Sequence, residues 1–118
     1  MKIKGRDPKE IALSLLKRSD CSVQVAAVLS DKRGTYAWGW NSSGPSGFGE
    51  CAEAAAFKRA NYKRIPGSVI WIAGRRRKSK NPVTSKPCAF CWQLVKNCAY
   101  IMYMDNKGDW ITLRGESF

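Results

Sequence analysis

The sequence predicts an α/β domain, a five-stranded mixed sheet with helices on its faces. Apolar runs of strand length alternate with two helical segments, each set after one strand and before another. Start and stop signals punctuate the order: Asp7-Pro8, Pro66-Gly67, Pro87 and Asn106-Lys107-Gly108. The chain has 118 residues, of which 44% are hydrophobic and 11% aromatic. That is enough for one core, and no linker or repeat divides it, so residues 1–118 read as a single domain.

Asp7-Pro8 pairs a capping side chain with proline at the first helical position, and Ile11, Leu15 and Leu16 stripe the helix down to Arg18. Ser22 to Leu29 is almost wholly apolar, as a strand buried on both faces would be. After the Asp31-Lys32-Arg33-Gly34 turn, an aromatic strand spans Thr35 to Trp40. Trp38 and Trp40 share one face of it and are expected in the core. A Gly- and Ser-rich loop leads to a helix from about Glu50 to Lys63, then a strand from Ser68 to Ala73. Gly74 to Lys86 reads as a polar, basic loop, and Pro87 opens a helix to about Lys96. Strands at Tyr100–Met104 and Trp110–Leu113 finish the order α-β-β-α-β-α-β-β.

No run of 18 apolar residues occurs, so no helical membrane span is expected. The opening Met1-Lys2-Ile3-Lys4 lacks the apolar stretch of a secretory signal. The expectation is a soluble cytoplasmic protein. The net charge is +12, and it is segregated: ten Lys or Arg and no Asp or Glu lie between Lys58 and Lys86. A field of that kind attracts phosphates, free or polymeric, although basic runs are often only a solvated face.

Histidine is absent, which removes Ser-His and Cys-His catalysis and any zinc site using His. Five cysteines make an odd number, and Cys88-x-x-Cys91 is spaced for metal or redox chemistry rather than for a staple. Cys51 opens the second helix; Cys88 and Cys91 open the third. First-turn N–H groups and the positive helix end favour thiolate over thiol. Three thiolates on one Zn²⁺ leave the fourth tetrahedral position for water, the mark of a catalytic zinc site. Glu53, in the same first turn as Cys51, is placed to move protons. The alternative is a closed four-cysteine structural site completed by Cys21 or Cys98, but it gives Glu53 no role. Cys21 and Cys98 are expected in the core.

From about Ser22 to Phe118 the chain resembles the cytidine deaminase superfamily of zinc-dependent nucleobase deaminases. It is most similar to the small all-cysteine branch that acts on free nucleosides. Cys51-Ala52-Glu53 followed by Pro87-Cys88-Ala89-Phe90-Cys91-Trp92-Gln93 resembles the signature of that branch. Ser22-Val23-Gln24-Val25-Ala26-Ala27-Val28-Leu29 resembles its first strand, and Gly39-Trp40-Asn41 the strand end whose Asn touches the sugar. Leu113-Arg114-Gly115-Glu116-Ser117-Phe118 is similar to its C-terminal turn. The resemblance implies a three-layer fold, a zinc ion on Cys51, Cys88 and Cys91, and attack of zinc-bound hydroxide on C4 of cytosine with Glu53 as proton shuttle. It further implies substrate contacts from Asn41, Phe48, Ala52 and Phe118, and a homo-oligomer, with a tetramer favoured.

Three positions depart from the branch. Ser43 stands where a Glu grips the ribose, Ala54 where many members carry Arg, and Leu113-Arg114-Gly115 where the turn is Leu-Leu-Pro. The favoured expectation is deamination of cytidine, deoxycytidine or their nucleotides to uracil products. The alternative is cytosine in single-stranded DNA or RNA, its backbone held by the basic loop 75–80 through Arg75, Arg76, Arg77 and Lys78. A third reading is a basic zinc module that binds nucleic acid without catalysis.

Overall fold

The computed structural model describes residues 7–43 and 49–116. Helix α1 (Pro8–Leu15) starts as expected, with the Asp7 carboxylate accepting from the Lys9 N–H at 2.9 Å, and tightens into a 3₁₀ turn at Leu16–Arg18. Strands β1 (Val23–Asp31) and β2 (Gly34–Trp40) form an antiparallel hairpin, followed by α2 (Ala52–Arg59) and β3 (Val69–Arg76). Helix α3 (Ala89–Val95), β4 (Tyr100–Met104) and β5 (Trp110–Arg114) complete the chain. The sheet order is β2-β1-β3-β4-β5, with β3 and β4 parallel and the other neighbours antiparallel. The mixed five-stranded sheet is therefore the one the sequence predicts. No helix among the described residues is long and apolar enough to cross a membrane.

The apolar character of β1 has its reason in this order. The strand is flanked by β2 and β3 and covered on both faces, so Ala26, Ala27, Val28 and Leu29 are all fully buried. Alternate residues feed two cores, as a two-residue side-chain period requires. Ala27 and Leu29 join Ile70, Ile72, Ile101 and Val95 under α2 and α3; Ala26 and Val28 join Ile11, Leu16 and Ala73 under α1. The domain thus has three layers.

Three expectations need correction. The second helix ends at Arg59, not Lys63, because Ala60 turns extended and Asn61 caps a separate 3₁₀ turn at Tyr62–Arg64 by accepting from the Lys63 N–H. That turn is tied back to the β1–β2 hairpin by Arg64, whose guanidinium forms two 2.7 Å bonds to Asp31 and lies 4.1 Å from the Tyr36 ring. Pro87 does not begin α3; Cys88 is its N-cap and Pro87 lies outside. Trp38 is 42% exposed rather than in the core, since β2 is an edge strand and α1 packs chiefly over β1 and β3. Trp40 is half-buried, with Arg18 and Arg59 over its ring at 5.5 and 5.0 Å.

One close approach fixes α2 on the sheet. A Cβ on Gly39 would stand 2.5 Å from the Ala56 nitrogen and 2.6 Å from the Ala55 Cβ, so helix backbone rests directly on β2. Gly39→Ala must push the helix away, at a cost of about 1–3 kcal/mol. Urea unfolding should show a lower midpoint at unchanged slope; an unchanged midpoint would mean that α2 is not held there.

Candidate active site

Cys51 is the N-cap of α2, and the Ala55 N–H bonds its carbonyl at 3.0 Å. Cys88 is the N-cap of α3, with the Trp92 N–H on its carbonyl at 2.8 Å. Helical periodicity then sets Glu53 and Cys91 one partial turn inside each helix, where both are buried, 6% and 1% exposed. The thiols of Cys51, Cys88 and Cys91 and the Glu53 carboxyl line one cavity of about 210 Å³. Two short segments from distant parts of the chain meet because α2 and α3 cover the same face of the sheet.

The fourth side of this cavity comes from a segment the sequence shows only as loop. Beyond the Ile72–Tyr103 pair the β3–β4 ladder stops, and Ser85 enters the gap. Its hydroxyl donates to the Ile72 carbonyl at 2.7 Å and accepts from the Met104 N–H at 2.9 Å, while its own N–H bonds the Met104 carbonyl at 2.9 Å. Thr84 and Lys86, on either side, thereby become cavity wall. A serine in an otherwise polar stretch carries no periodic signal, so no local pattern marks this role.

Burial governs the titration of the site. Desolvation holds the Glu53 carboxyl above its ordinary value. Cys91 is pushed up too, first by burial and then by the Glu53 charge and its contacts with Cys51. Cys88 is exposed and shifts the other way: the N–H groups of Cys91 and Phe90 face its sulfur and favour the thiolate, although no capping bond of standard geometry closes on it. Lys86, the cation lining the cavity, is exposed, and among the described residues no positive charge offsets the burial of Glu53 and Cys91. Among the described residues no three Cys, Asp or Glu side chains are already drawn together as a metal cluster; the three thiols share a cavity rather than a ligand shell. Their donor chemistry nevertheless fits a soft divalent cation, which would supply the charge that Cys91 and Glu53 lack.

The remaining site expectations fare differently. Asn41 lines the cavity beside Val25, and Ala52 is buried in its wall. The Asn41 amide is largely committed to the fold: its oxygen accepts from the Ser19 hydroxyl at 2.6 Å and the Val25 N–H at 2.9 Å, and its nitrogen donates to the Val23 carbonyl at 2.9 Å. One N–H is left to face a ligand. Ser43 donates through its N–H and hydroxyl to Asp20, at 3.0 and 2.7 Å, and these bonds hold the Asp20 carboxyl below the usual range. Neither Ser43 nor Asp20 lines the thiol cavity. Phe48 and Phe118 lie outside the described residues. Cys98 is fully buried, its thiol pushed up to about 12, whereas Cys21 is only half-buried; neither lines the thiol cavity. Arg75 turns inward, its Nε donating to Gln24 at 2.8 Å, while Arg76, Arg77 and Lys78 are exposed around a separate cavity.

No family model matches the sequence, and no characterised protein matches it at the sequence level. Solved structures do. The chain has the cytidine deaminase fold, with the mixed sheet and flanking helices of that class. It superposes on the cytidine deaminase of Burkholderia pseudomallei over 100% of both chains, at a TM-score of 0.71 and 19% identity. The cytidine deaminase of Mycobacterium leprae matches over 88% of both chains, at a TM-score of 0.60 and 18% identity. A mutant cytidine deaminase from Mycobacterium tuberculosis matches over 79% of this chain and 77% of its own, at 0.58 and 16%.

Ser85 gives a test of how the wall is held. Ser85→Ala strands the Ile72 carbonyl and the Met104 N–H in a buried gap, which costs about 1–3 kcal/mol. Thermal unfolding should show the loss. A melting temperature equal to wild type would show that the two groups find other partners.

Proposed function

We propose that the protein is a zinc-dependent hydrolase that deaminates cytosine in cytidine, deoxycytidine or their nucleotides, releasing ammonia and leaving uracil. The fold alone does not carry this reading, because folds host many chemistries. What carries it is the convergence of Cys51, Cys88, Cys91 and a buried Glu53 on one cavity at two helix starts. Zinc held by the three thiolates supplies Lewis acidity, which makes water a competent nucleophile near neutral pH.

The chain's own part is proton transfer and orientation. The Glu53 carboxylate takes the proton released as water adds to C4 of the ring, and returns protons to the ring nitrogen and the departing amine. Its burial suits the accepting step, because a raised pKa makes the carboxylate a stronger base, and it keeps the protonated form populated for the return step. Val25 and Ala52 give the cavity apolar wall, and the free Asn41 N–H is available to a sugar oxygen. A purely nucleic-acid-binding zinc module would have no use for a buried carboxyl beside its ligands.

Glu53→Gln keeps size and metal but cannot accept a proton. Uracil formation from cytidine, deoxycytidine and dCMP should fall by about 10²–10⁴-fold, since general acid–base catalysis has that scale. A loss below tenfold would assign the proton transfer to another group. Elemental analysis should find about one zinc per chain, lost in Cys88→Ala and kept in Cys98→Ala. Retention of zinc in Cys88→Ala would overturn the ligand set.

A further inference from the structure

The turn after β3 carries a second cavity, of about 840 Å³, some four times the volume of the thiol cavity. Arg76, Arg77, Lys78 and Lys80 line it, with Ser79 and Ser22 between them. Asp20 is the carboxylate in its wall, and both its oxygens already accept from Ser43. Among the described residues no carboxylate pairs with Arg76, Lys78 or Lys80. Arg76, Lys78 and Lys80 therefore line one concavity without a carboxylate partner, beside Arg77, whose guanidinium donates to a backbone carbonyl.

The turn that presents them is built, not loose. The Arg76 N–H bonds the Asn81 carbonyl at 2.8 Å, and the Lys80 N–H bonds the Arg76 carbonyl at 2.9 Å. Lys80 takes the left-handed conformation, φ 65°, to close it. Arg77 then pins the turn to the segment before β1: its N–H bonds the Ser22 carbonyl at 2.8 Å and its guanidinium the Asp20 carbonyl at 3.2 Å. Little backbone ordering remains to be done when an anion arrives.

Its position relates it to the thiol cavity. Val25, in the wall of that cavity, pairs with Gly74, and Val23 pairs with Arg76 two residues along the same ladder. At about 3.4 Å per residue the two cavities are roughly 7–10 Å apart. A polynucleotide spans such a gap between a base and its flanking phosphates, and a concavity of about 840 Å³ lined by Arg76, Arg77, Lys78 and Lys80 has room and charge for more than one phosphate.

We propose that this cavity is a phosphate subsite that holds the phosphodiester backbone of a single strand whose cytosine enters the thiol cavity. It rests on the deaminase reading for the base, and extends the substrates of that reading from nucleosides and nucleotides to a polymer. Arg76, Arg77, Lys78 and Lys80 neutralise successive phosphates, while Arg75 stays with Gln24 and only braces the turn. Backbone contacts of this kind position the strand without reading its sequence.

The test is binding of the whole chain to a labelled thymine-only single strand, followed by anisotropy across a salt series. Each single-strand phosphate contact contributes about 0.7 to the slope of log K against log salt. R76A/R77A/K78A/K80A should lower that slope by about 2–3 units. Since Arg77 ties the turn down, K78A/K80G is a second variant that keeps the turn: glycine suits the positive φ of position 80, and the slope should fall by about 1.4. Unchanged slopes in both variants would overturn the proposal. If the variants lose dCMP affinity yet hold the strand as wild type does, the cavity takes a terminal phosphate and the strand assignment is wrong. Glu53→Gln should bind the strand at the wild-type slope. A wild type that binds the strand with this slope but forms no uracil from any substrate would remove the deaminase reading and leave the subsite standing.

Discussion

The contact between the α2 backbone and β2 at Gly39 sets where the chemistry can stand. Ala52, Ala55 and Ala56 give the helix a face without bulk, and Gly39 removes the last obstacle on the strand. The helix axis is thereby drawn close to the sheet, and its first turn faces the cavity that Val25 of β1 and Asn41 after β2 also line. Cys51 and Glu53 depend on this seating for their place, and the meeting with α3 depends on it in turn. A larger residue at any of these positions would swing the first turn of α2 away from Cys88 and Cys91.

The electrostatic design opposes local and global charge. Acidic groups are gathered in one small cavity of a chain with net charge +12. Burial raises Glu53 and Cys91 and the helix start lowers Cys88, so the same site contains groups pushed apart in acidity by their surroundings. Apart from Lys86, exposed in the cavity wall, the basic residues lie on the surface away from this pocket, many of them on the turn beyond β3 and on the helix ends.

Much of this architecture is legible in the amino-acid sequence. Strand identity and order follow from apolar runs of the right length, and the cysteine and glutamate positions at helix starts follow from spacing and a proline. What escapes a reading of the sequence depends on contacts made across the fold. The helix after Cys51 stops early because Asn61 caps a new turn and Arg64 reaches back to Asp31, a partner 33 residues away. Trp38 is exposed because β2 lies at the edge, which composition cannot reveal. Arg75 looks like its basic neighbours in the sequence, yet strand alternation turns it toward Gln24. Asp20 and Ser85 bear on the two cavities only through partners far along the chain, so no local pattern marks them.

Ser85 also bears on the order in which the molecule is made. Its hydroxyl joins Ile72 and Met104, 13 and 19 residues distant, so it can settle only after β4 has zipped against β3. Contacts of long sequence separation form late in folding, once the loops between them have closed. The cavity wall at Thr84, Ser85 and Lys86 therefore takes its native form only over a completed β3–β4 pairing, so the shape of the pocket is a consequence of the sheet beneath it.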